Sequence, residues 1–398
     1  MDSVKIRLIH AGKGTQQWQI IRQPPSSLYD VTTSGSQPQL APEDLLPLLD
    51  TSTVPLLLDV REEEEFSSWH INGALNIPLD QLADRLGEIA RGRELVLICA
   101  VGLRAERGAN FLSSVGYRVR VLTGGMQSWG RTYEVVESDL GGVIVCQVRR
   151  RGKGCLSYVV GAGDRAVVID PSTELDQYQS IAAAHGFTIS HVLDTHLHAD
   201  HLSGARALAT KMGATLLLNP ADPFEYDFTP IVNDLRIELS ASMHLTVSAV
   251  SAPGHTEGST VYQLGSIALF TGDTLFLESV GRPDLADFAE PFARSLYRSL
   301  HNVVLPLDDD MMIFPAHYGE SVHVRFGELV TKRLGELRLS LPALAYDEED
   351  FVHWAISHVT DRPPNYVEIV RFNAGRPRLE FNELRQLELG PNRCAIAS

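Results

Sequence analysis

Three histidines and an aspartate fall within six residues in Thr195-His196-Leu197-His198-Ala199-Asp200-His201. Imidazole and carboxylate at that density suit zinc, iron or manganese. Three later segments each add one ligand-type residue: Ala252-Pro253-Gly254-His255-Thr256, Thr271-Gly272-Asp273-Thr274 and Pro315-Ala316-His317-Tyr318. A second chemistry sits earlier in the chain. Cys99 ends an apolar run and opens Cys99-Ala100-Val101-Gly102-Leu103-Arg104. Loop amides, the dipole of a following helix and Arg104 would favour the thiolate form. On this loop alone, a buried strand-end cysteine acting as a small hydrophobe is an equal reading.

Both groups need rigid elements behind them. Ile189 to Leu193 reads as a buried strand ahead of the histidine cluster, and Leu202 to Met212 as a helix after it. Strand-like runs Leu245 to Val250, Ile267 to Phe270 and Met311 to Phe314 precede His255, Asp273 and His317. Ligands on loops at the ends of rigid strands can converge on one point. Upstream, Val54 to Val60, Leu95 to Cys99 and Val119 to Leu122 read as strands, alternating with helices over Leu79 to Ala90 and Arg104 to Val115. That alternation implies a parallel sheet covered by helices.

The remaining segments carry less chemistry. Val4 to Ile9 and Trp18 to Ile21 could be short strands, and Pro24 to Gln39 looks like a linker. Gly141-Gly142 marks a plausible boundary, followed by strands Val143 to Val148, Leu156 to Val160 and Ala166 to Asp170. Asp170 before Pro171 could orient a metal ligand or simply form a turn. Phe326, Leu329, Val330, Leu334, Leu337 and Leu341 recur at helical spacing, and Val367 to Phe372 reads as a last strand. Structural burial is expected for Cys146 and Cys155. Cys394, beside Arg393 in the polar segment 375–398, is expected to be ordinary rather than reactive.

Taken together, H-x-H-x-D-H followed by His255, Asp273 and His317 resembles the metallo-β-lactamase superfamily over residues 143 to 373. Leu58-Asp59-Val60-Arg61-Glu62, His70-Ile71-Asn72-Gly73-Ala74, Asn76-Ile77-Pro78 and Thr123-Gly124-Gly125-Met126-Gln127-Ser128-Trp129 resemble a rhodanese, or sulfurtransferase, domain. The rhodanese resemblance makes Cys99 the nucleophile, with Gly102 and Arg104 in its anion cradle. The six-residue loop fits a persulfide sulfur; related phosphatase and arsenate-reductase loops are one residue longer. Asp59 and Arg61 are expected to pair structurally, and Trp129 to lie in the core. The expected fold is two domains, α/β and α+β: a rhodanese-like α/β unit with a parallel sheet at 41–135, then a metallo-β-lactamase αββα sandwich at 141–374. Residues 1–40 form an unassigned N-terminal segment and 375–398 a tail.

The superfamily admits two metal arrangements. With two metals, His196, His198 and His255 hold one ion, Asp200, His201 and His317 the other, and Asp273 bridges; such a site hydrolyses thioesters or lactams. With one, His196, His255 and Asp273 form a facial triad on ferrous iron, leaving room for a substrate and dioxygen. His198, Asp200, His201 and His317 then support the triad or touch substrate. Thr271 to Asp284 ends Gly281-Arg282-Pro283-Asp284, similar to the persulfide dioxygenase branch, where this arginine meets the glutathione part of the substrate. The attached rhodanese unit points the same way.

The resemblance therefore implies a persulfide dioxygenase–rhodanese fusion with one Fe(II) per chain. It would oxidise glutathione persulfide, or a similar low-molecular-weight persulfide, with O2 to sulfite and free thiol. Sulfane sulfur from thiosulfate or a persulfide would pass through Cys99, and Arg282, Gly102 and Tyr318 are expected to contact substrate. The sequence departs from many such fusions in placing the rhodanese unit first. One alternative is a two-zinc glyoxalase II-like thioester hydrolase fused to a sulfurtransferase. Another is a non-catalytic sulfur carrier whose metal site has decayed, against which the complete ligand set argues. Members of the family often form homodimers, but the sequence identifies no interface.

Composition sets the outer bounds. The 398 residues are 44% hydrophobic and 21% charged, an ordinary globular balance for two or three domains. A net charge of −16 argues against nonspecific binding to nucleic acid or anionic membrane. Four cysteines without a C-x-x-C pair suggest neither a disulfide framework nor a zinc ribbon. No secretory pattern and no apolar run of about 18 residues is visible. A cytoplasmic setting is the expectation.

Overall fold

A computed structural model describes residues 5–11, 15–21, 37–51, 54–232, 235–240, 245–284, 288–319, 322–359, 362, 365–390 and 394–396. Most of the expected linker lies outside the described residues, as does Arg393. The strands expected near the start form one antiparallel hairpin, Lys5–Ala11 with Thr15–Ile21.

In the first unit, short continuous apolar runs form a sheet buried on both faces, the usual setting for parallel strands. The order is Gln39–Leu40, Val119–Leu122, Leu95–Ile98, Leu56–Asp59 and Leu75–Asn76, all parallel. Helix Leu103–Ser114 covers one face through Ala105, Ala109 and Leu112, while Met126 and Trp129 pack on the other. The helix expected over Leu79 to Ala90 is instead two 3₁₀ turns, Leu79–Gln81 and Leu86–Glu88. Leu82 and Ile89 are still buried, because a three-residue period suits a 3₁₀ turn as well as one helix face.

Two mixed sheets follow. One runs Thr229–Pro230, Thr215–Leu218, Thr188–Leu193, Arg165–Ile169, Cys155–Ala162, Ile144–Arg150, Tyr133–Asp139. The other runs Arg236–Ser240, Leu245–Ser251, Thr260–Leu264, Ala268–Gly272, Met312–Pro315, Lys332–Arg333. The largest core, including Tyr158, Tyr262, Phe270 and Phe314, is built from both sheets. A smaller one lies under helices Asp176–His185 and Ala205–Met212. This is an αββα sandwich. Gly141-Gly142 is the turn of the hairpin joining Tyr133–Asp139 to Ile144–Arg150, so the seven-stranded sheet begins at Tyr133. We place the joint between the units near Thr132.

Two later expectations change. Only Leu334–Ser340 of the Phe326–Leu341 run is helical; Phe326 packs instead on the first unit's core. Val367 to Phe372 is not a strand but part of helix Tyr366–Asn373, which buries Ile369 against Leu202 and Leu384. Packing of one helical face overrides the β-branched composition there. The final segment is also structured, with helix Phe381–Leu387 followed by buried Cys394 and Ile396. The units meet through Trp69 Nε1 donating to Gly152 O at 2.8 Å and Arg150 Nε donating to Gly130 O at 2.5 Å. Among the described residues, no helix is long and apolar enough to cross a membrane.

Candidate metal centre and sulfur-transfer loop

Each ligand-type residue sits just past a strand of the sandwich. Thr188–Leu193 leads to His196, Leu245–Ser251 to His255, Ala268–Gly272 to Asp273, and Met312–Pro315 to His317. The turn before His255 requires glycine: a Cβ on Gly254 would lie 2.4 Å from the Leu296 backbone nitrogen.

His196 Nε2 lies 3.7 Å and His255 Nε2 3.3 Å from Asp273 Oδ2. All three atoms are buried and none has a hydrogen-bond partner. Two donors each about 2.1 Å from one ion lie about 3.0–3.5 Å apart, so His255 is already at ligand spacing from Asp273 and His196 needs a shift of about 0.2 Å, with all three ligand atoms within 4.8 Å of one another. Buried polar atoms are otherwise satisfied, and a cation would satisfy these. Burial, with His198 beside it, holds His196 well below the usual imidazole range, and burial lowers His255 too. Both favour the neutral, ligating form.

The other ring nitrogens are fixed. His196 Nδ1 lies 2.9 Å from Thr195 Oγ1, and His255 Nδ1 2.9 Å from the Arg282 carbonyl. Asp170 accepts from Thr195 N at 2.6 Å and Thr195 Oγ1 at 3.0 Å, and lies 3.0 Å from His198 Nε2. It is both the turn and the orienting group. Its φ of +53° is the one left-handed non-glycine backbone among the described residues, a conformation aspartate tolerates. His198 Nδ1 has no partner.

The second set is different. His317 lies between two carboxylates, with Nδ1 2.6 Å from Asp273 Oδ1 and Nε2 2.6 Å from Asp200 Oδ2. His201 Nδ1 is 3.1 Å from Asp200 Oδ1, and Cys155 Sγ donates to Asp200 Oδ2 at 3.3 Å. Burial alone would depress His201, but Asp200 raises it to about 10. Burial would raise Asp200, yet His317 and His201 hold it well below the carboxylate range. Cys155, Asp200, His201 and His317 form a buried ion-pair cluster whose ligand atoms lie within 4.8 Å of one another, with His317 Nε2 left without a hydrogen bond.

Several supporting residues were not visible in the sequence. Asp222 accepts from Leu197 N at 2.8 Å and Gly258 N at 2.9 Å, locking the His196 and His255 loops together. Asn373 Nδ2 donates to His198 O and His201 O at 2.9 and 2.8 Å, and Oδ1 accepts from Ser203 N at 2.8 Å. Glu388 accepts from Leu202 N at 2.8 Å and pairs with Arg150 at 2.9 Å. Cys394, expected to be an ordinary tail residue, brings its sulfur within 4.8 Å of ligand atoms of Asp273 and His317. Its carbonyl accepts from Arg282 N at 2.9 Å. No local pattern marks these residues, because their partners are far away in the chain.

The expected substrate contacts are placed as follows. The Arg282 guanidinium is only 1% exposed and forks onto Asp284 at 2.7 and 2.9 Å, a carboxylate also held by Arg362. Tyr318 is half-buried with its hydroxyl shielded from solvent; burial raises its phenol, opposed by Arg151 and Arg149. Gly102 belongs to the other site: its N–H donates to Cys99 Sγ at 3.1 Å, and at φ +106° it caps helix Leu103–Ser114.

Around Cys99 the loop is braced from behind. Met126 N donates to Cys99 O at 2.8 Å and Gln127 N to Ala100 O at 3.0 Å. Gly125 is obligatory there, because a Cβ would lie 2.0 Å from the Cys99 carbonyl oxygen. Arg104 forks onto Glu65 at 2.6 and 2.7 Å, a pairing that raises the guanidinium above its usual range. Val101 and Leu103 on the same loop are exposed. Asp59 and Arg61 form the expected buried pair at 2.7 Å, and Trp129 is in the core.

Comparison with known proteins agrees with this division. Residues 41–132 match the rhodanese-like domain family and 150–317 the metallo-beta-lactamase superfamily. A hydroxyacylglutathione hydrolase from Anaeromyxobacter dehalogenans is 33% identical over 42% of this chain and 63% of its own length. The chain thus spans under two thirds of that relative. The bovine mitochondrial persulfide dioxygenase ETHE1 is 29% identical over 50% of this chain and 76% of its own. The crystal structure of ETHE1 from Myxococcus xanthus superposes with a TM-score of 0.51 at 26% identity, covering 58% of this chain and 97% of that one.

Proposed function

Because the chain belongs to the metallo-β-lactamase superfamily and carries a rhodanese-like domain ahead of that unit, we propose that it oxidises a low-molecular-weight persulfide with dioxygen at a single ferrous iron. Glutathione persulfide is the first candidate substrate. The balanced reaction is RSSH + O2 + H2O → RSH + sulfite + 2 H⁺. Cys99 would exchange sulfane sulfur with thiosulfate, a persulfide or a thiol.

The observation that carries this reading is the contrast between the two ligand sets. Partnerless atoms of His196, His255 and Asp273 converge on one point, whereas Asp200 and His201 pair with each other and His317 Nδ1 is taken by Asp273 Oδ1, leaving only Nε2 of His317 without a hydrogen bond. The 2.6 Å between His317 Nε2 and Asp200 Oδ2 is an ion-pair contact shorter than two donors on one ion would keep. One metal in a two-His-one-carboxylate site fits this arrangement. Ferrous iron there would supply a redox-active centre with positions open to both substrates. The chain's own residues do the rest. Thr195 and the Arg282 carbonyl fix the tautomers that present Nε2 of His196 and His255. His317 holds the second oxygen of Asp273, and the buried walls keep bulk water from the centre.

At Cys99, the Gly102 amide stabilises negative charge on sulfur. Attack by that thiolate on the outer sulfur of thiosulfate would break its S–S bond, expel sulfite and leave a Cys99 persulfide; a thiol then attacks the outer sulfur, leaving as RSSH with the Cys99 thiolate as leaving group.

The test is oxygen uptake by iron-loaded protein given glutathione persulfide, with sulfite assayed in the same tube. Matching uptake and sulfite are expected, lost in His255→Ala and kept in Cys99→Ser, which should lose thiosulfate sulfurtransfer. No uptake by protein holding ferrous iron, with rapid cleavage of a glutathione thioester and about two zinc ions per chain, would favour the hydrolase reading suggested by the Anaeromyxobacter relative's name.

A further inference from the structure

A separate group of ligand-type side chains meets on the helix-covered face of the seven-stranded sheet. Glu137 and Cys146 sit directly opposite each other on strands Tyr133–Asp139 and Ile144–Arg150. His185 is the last residue of helix Asp176–His185, and its ring stacks on Phe187 at 5.1 Å with planes 15° apart. His185 Nε2 lies 3.1 Å from Glu137 Oε2 and 3.9 Å from Cys146 Sγ. One atom from each of the three lies within 4.8 Å of the others.

We propose that Glu137, Cys146 and His185 form a second, independent metal site that takes a zinc-class divalent cation, with its fourth position open to water. The spacing is the first argument. Around tetrahedral zinc, a thiolate sulfur and an imidazole nitrogen lie about 3.6 Å apart, and a nitrogen and a carboxylate oxygen about 3.4 Å. The observed 3.9 and 3.1 Å need shifts of only a few tenths of an ångström. Charge is the second. A dication, a thiolate, a carboxylate and a neutral imidazole sum to zero, the combination a buried site accommodates best. Ligand type is the third, since sulfur, nitrogen and oxygen together suit zinc or cobalt.

Glu137 and Cys146 are buried, while the His185 side chain is 14% exposed and gives solvent a way in. Binding releases one proton, from the Cys146 thiol to solvent, as the sulfur–metal bond forms; no electron moves. Burial keeps that thiol neutral in the absence of metal. The site ties the first strand of the sandwich, Tyr133–Asp139, to the helix covering that sheet, so its expected role is to pin that strand in place. It stands whether or not the oxidation reaction does.

The test is cobalt(II) titration of the full-length protein after its iron has been loaded and quantified. One further equivalent should bind with a cobalt–thiolate charge-transfer band in the near ultraviolet. Cys146→Ser should abolish the band, and His185→Ala should weaken binding about tenfold or more. Cys155→Ser should leave the band intact. Zinc should displace the cobalt and raise the melting temperature of the unsubstituted protein but not of Cys146→Ser. Since Cys146 is buried, the more exposed His185→Ala and the isosteric Glu137→Gln guard against a folding artefact. Absence of the band in the unsubstituted protein would overturn the proposal. So would its survival in Cys146→Ser, or its loss in Cys155→Ser alone, which would place the cobalt among Asp200, His201 and His317.

Discussion

Replacing Glu388 by alanine tests whether the last helix holds the metal loop in place. The carboxylate makes two buried contacts at once, to the Arg150 guanidinium at 2.9 Å and to the Leu202 amide at 2.8 Å, directly after His201. The paired side chains are 3% and 5% exposed, so water cannot substitute for either. Removing one partner of such a pair costs about 3–5 kcal/mol, because a charge is left buried and uncompensated. At about 2–4 °C per kcal/mol for a unit of this size, the melting temperature should fall by about 6–20 °C. Glu388→Gln keeps an acceptor for Leu202 and should lose less.

Circular dichroism melts at neutral pH, with iron content measured on the same samples, provide the assay. Salt should change the loss little, since the pair is shielded from counterions. The pH dependence has a definite sign. Burial would raise the Glu388 carboxyl, but Arg150 and Lys153 hold it below the usual range. Its contribution is therefore full above the ordinary glutamate pKa and fades as pH drops through the lower folded-state value. A shift under about 1 kcal/mol for both variants would refute the idea that this ion pair anchors the loop.

Three other expectations are narrower. Gly125→Ala should cut Cys99-dependent thiosulfate sulfurtransfer by well over tenfold, roughly, because its Cβ would collide with the Cys99 carbonyl; unchanged transfer would contradict the brace. Asn373→Ala should lower iron affinity by about 10–100-fold, read by competition with a chelator, since two carbonyls of the histidine loop lose their donor. His317→Gln should keep one iron per chain yet slow oxygen uptake by about 10–100-fold; loss of a second metal equivalent in plasma emission would instead support two ions.

The convergence of these ligand-type residues was legible because the histidine cluster follows an apolar run, as do His255, Asp273 and His317, each of these three at or near a Gly or Pro. Strand ends converge by geometry, so the pattern implies proximity before any coordinates. The loop at Cys99 was legible for the same reason, a strand running into a helix. What supports these groups was not. Asp222, Asn373 and Glu388 act across 25 to 186 residues of chain, and a single buried polar residue has no periodicity to betray it. Val367, Ile369 and Val370 look like a strand, yet helix Tyr366–Asn373 is what carries Asn373 to the loop. Arg282 shows the opposite gap: its motif was visible, but its buried fork with Asp284 was not.

The path of the final segment has a consequence for biosynthesis. Gln386 touches Gln127 beside the Cys99 loop, Glu388 grips the histidine loop, and Cys394 and Ile396 close against the segment carrying Val280 and Arg282. Domains fold from the N-terminal side as they emerge during synthesis, so the first unit can mature early. The metal centre cannot: its last wall does not exist until residue 396 has left the ribosome. Metal captured before then would sit in an open, hydrated cup. Insertion after this segment has packed is the order these contacts favour.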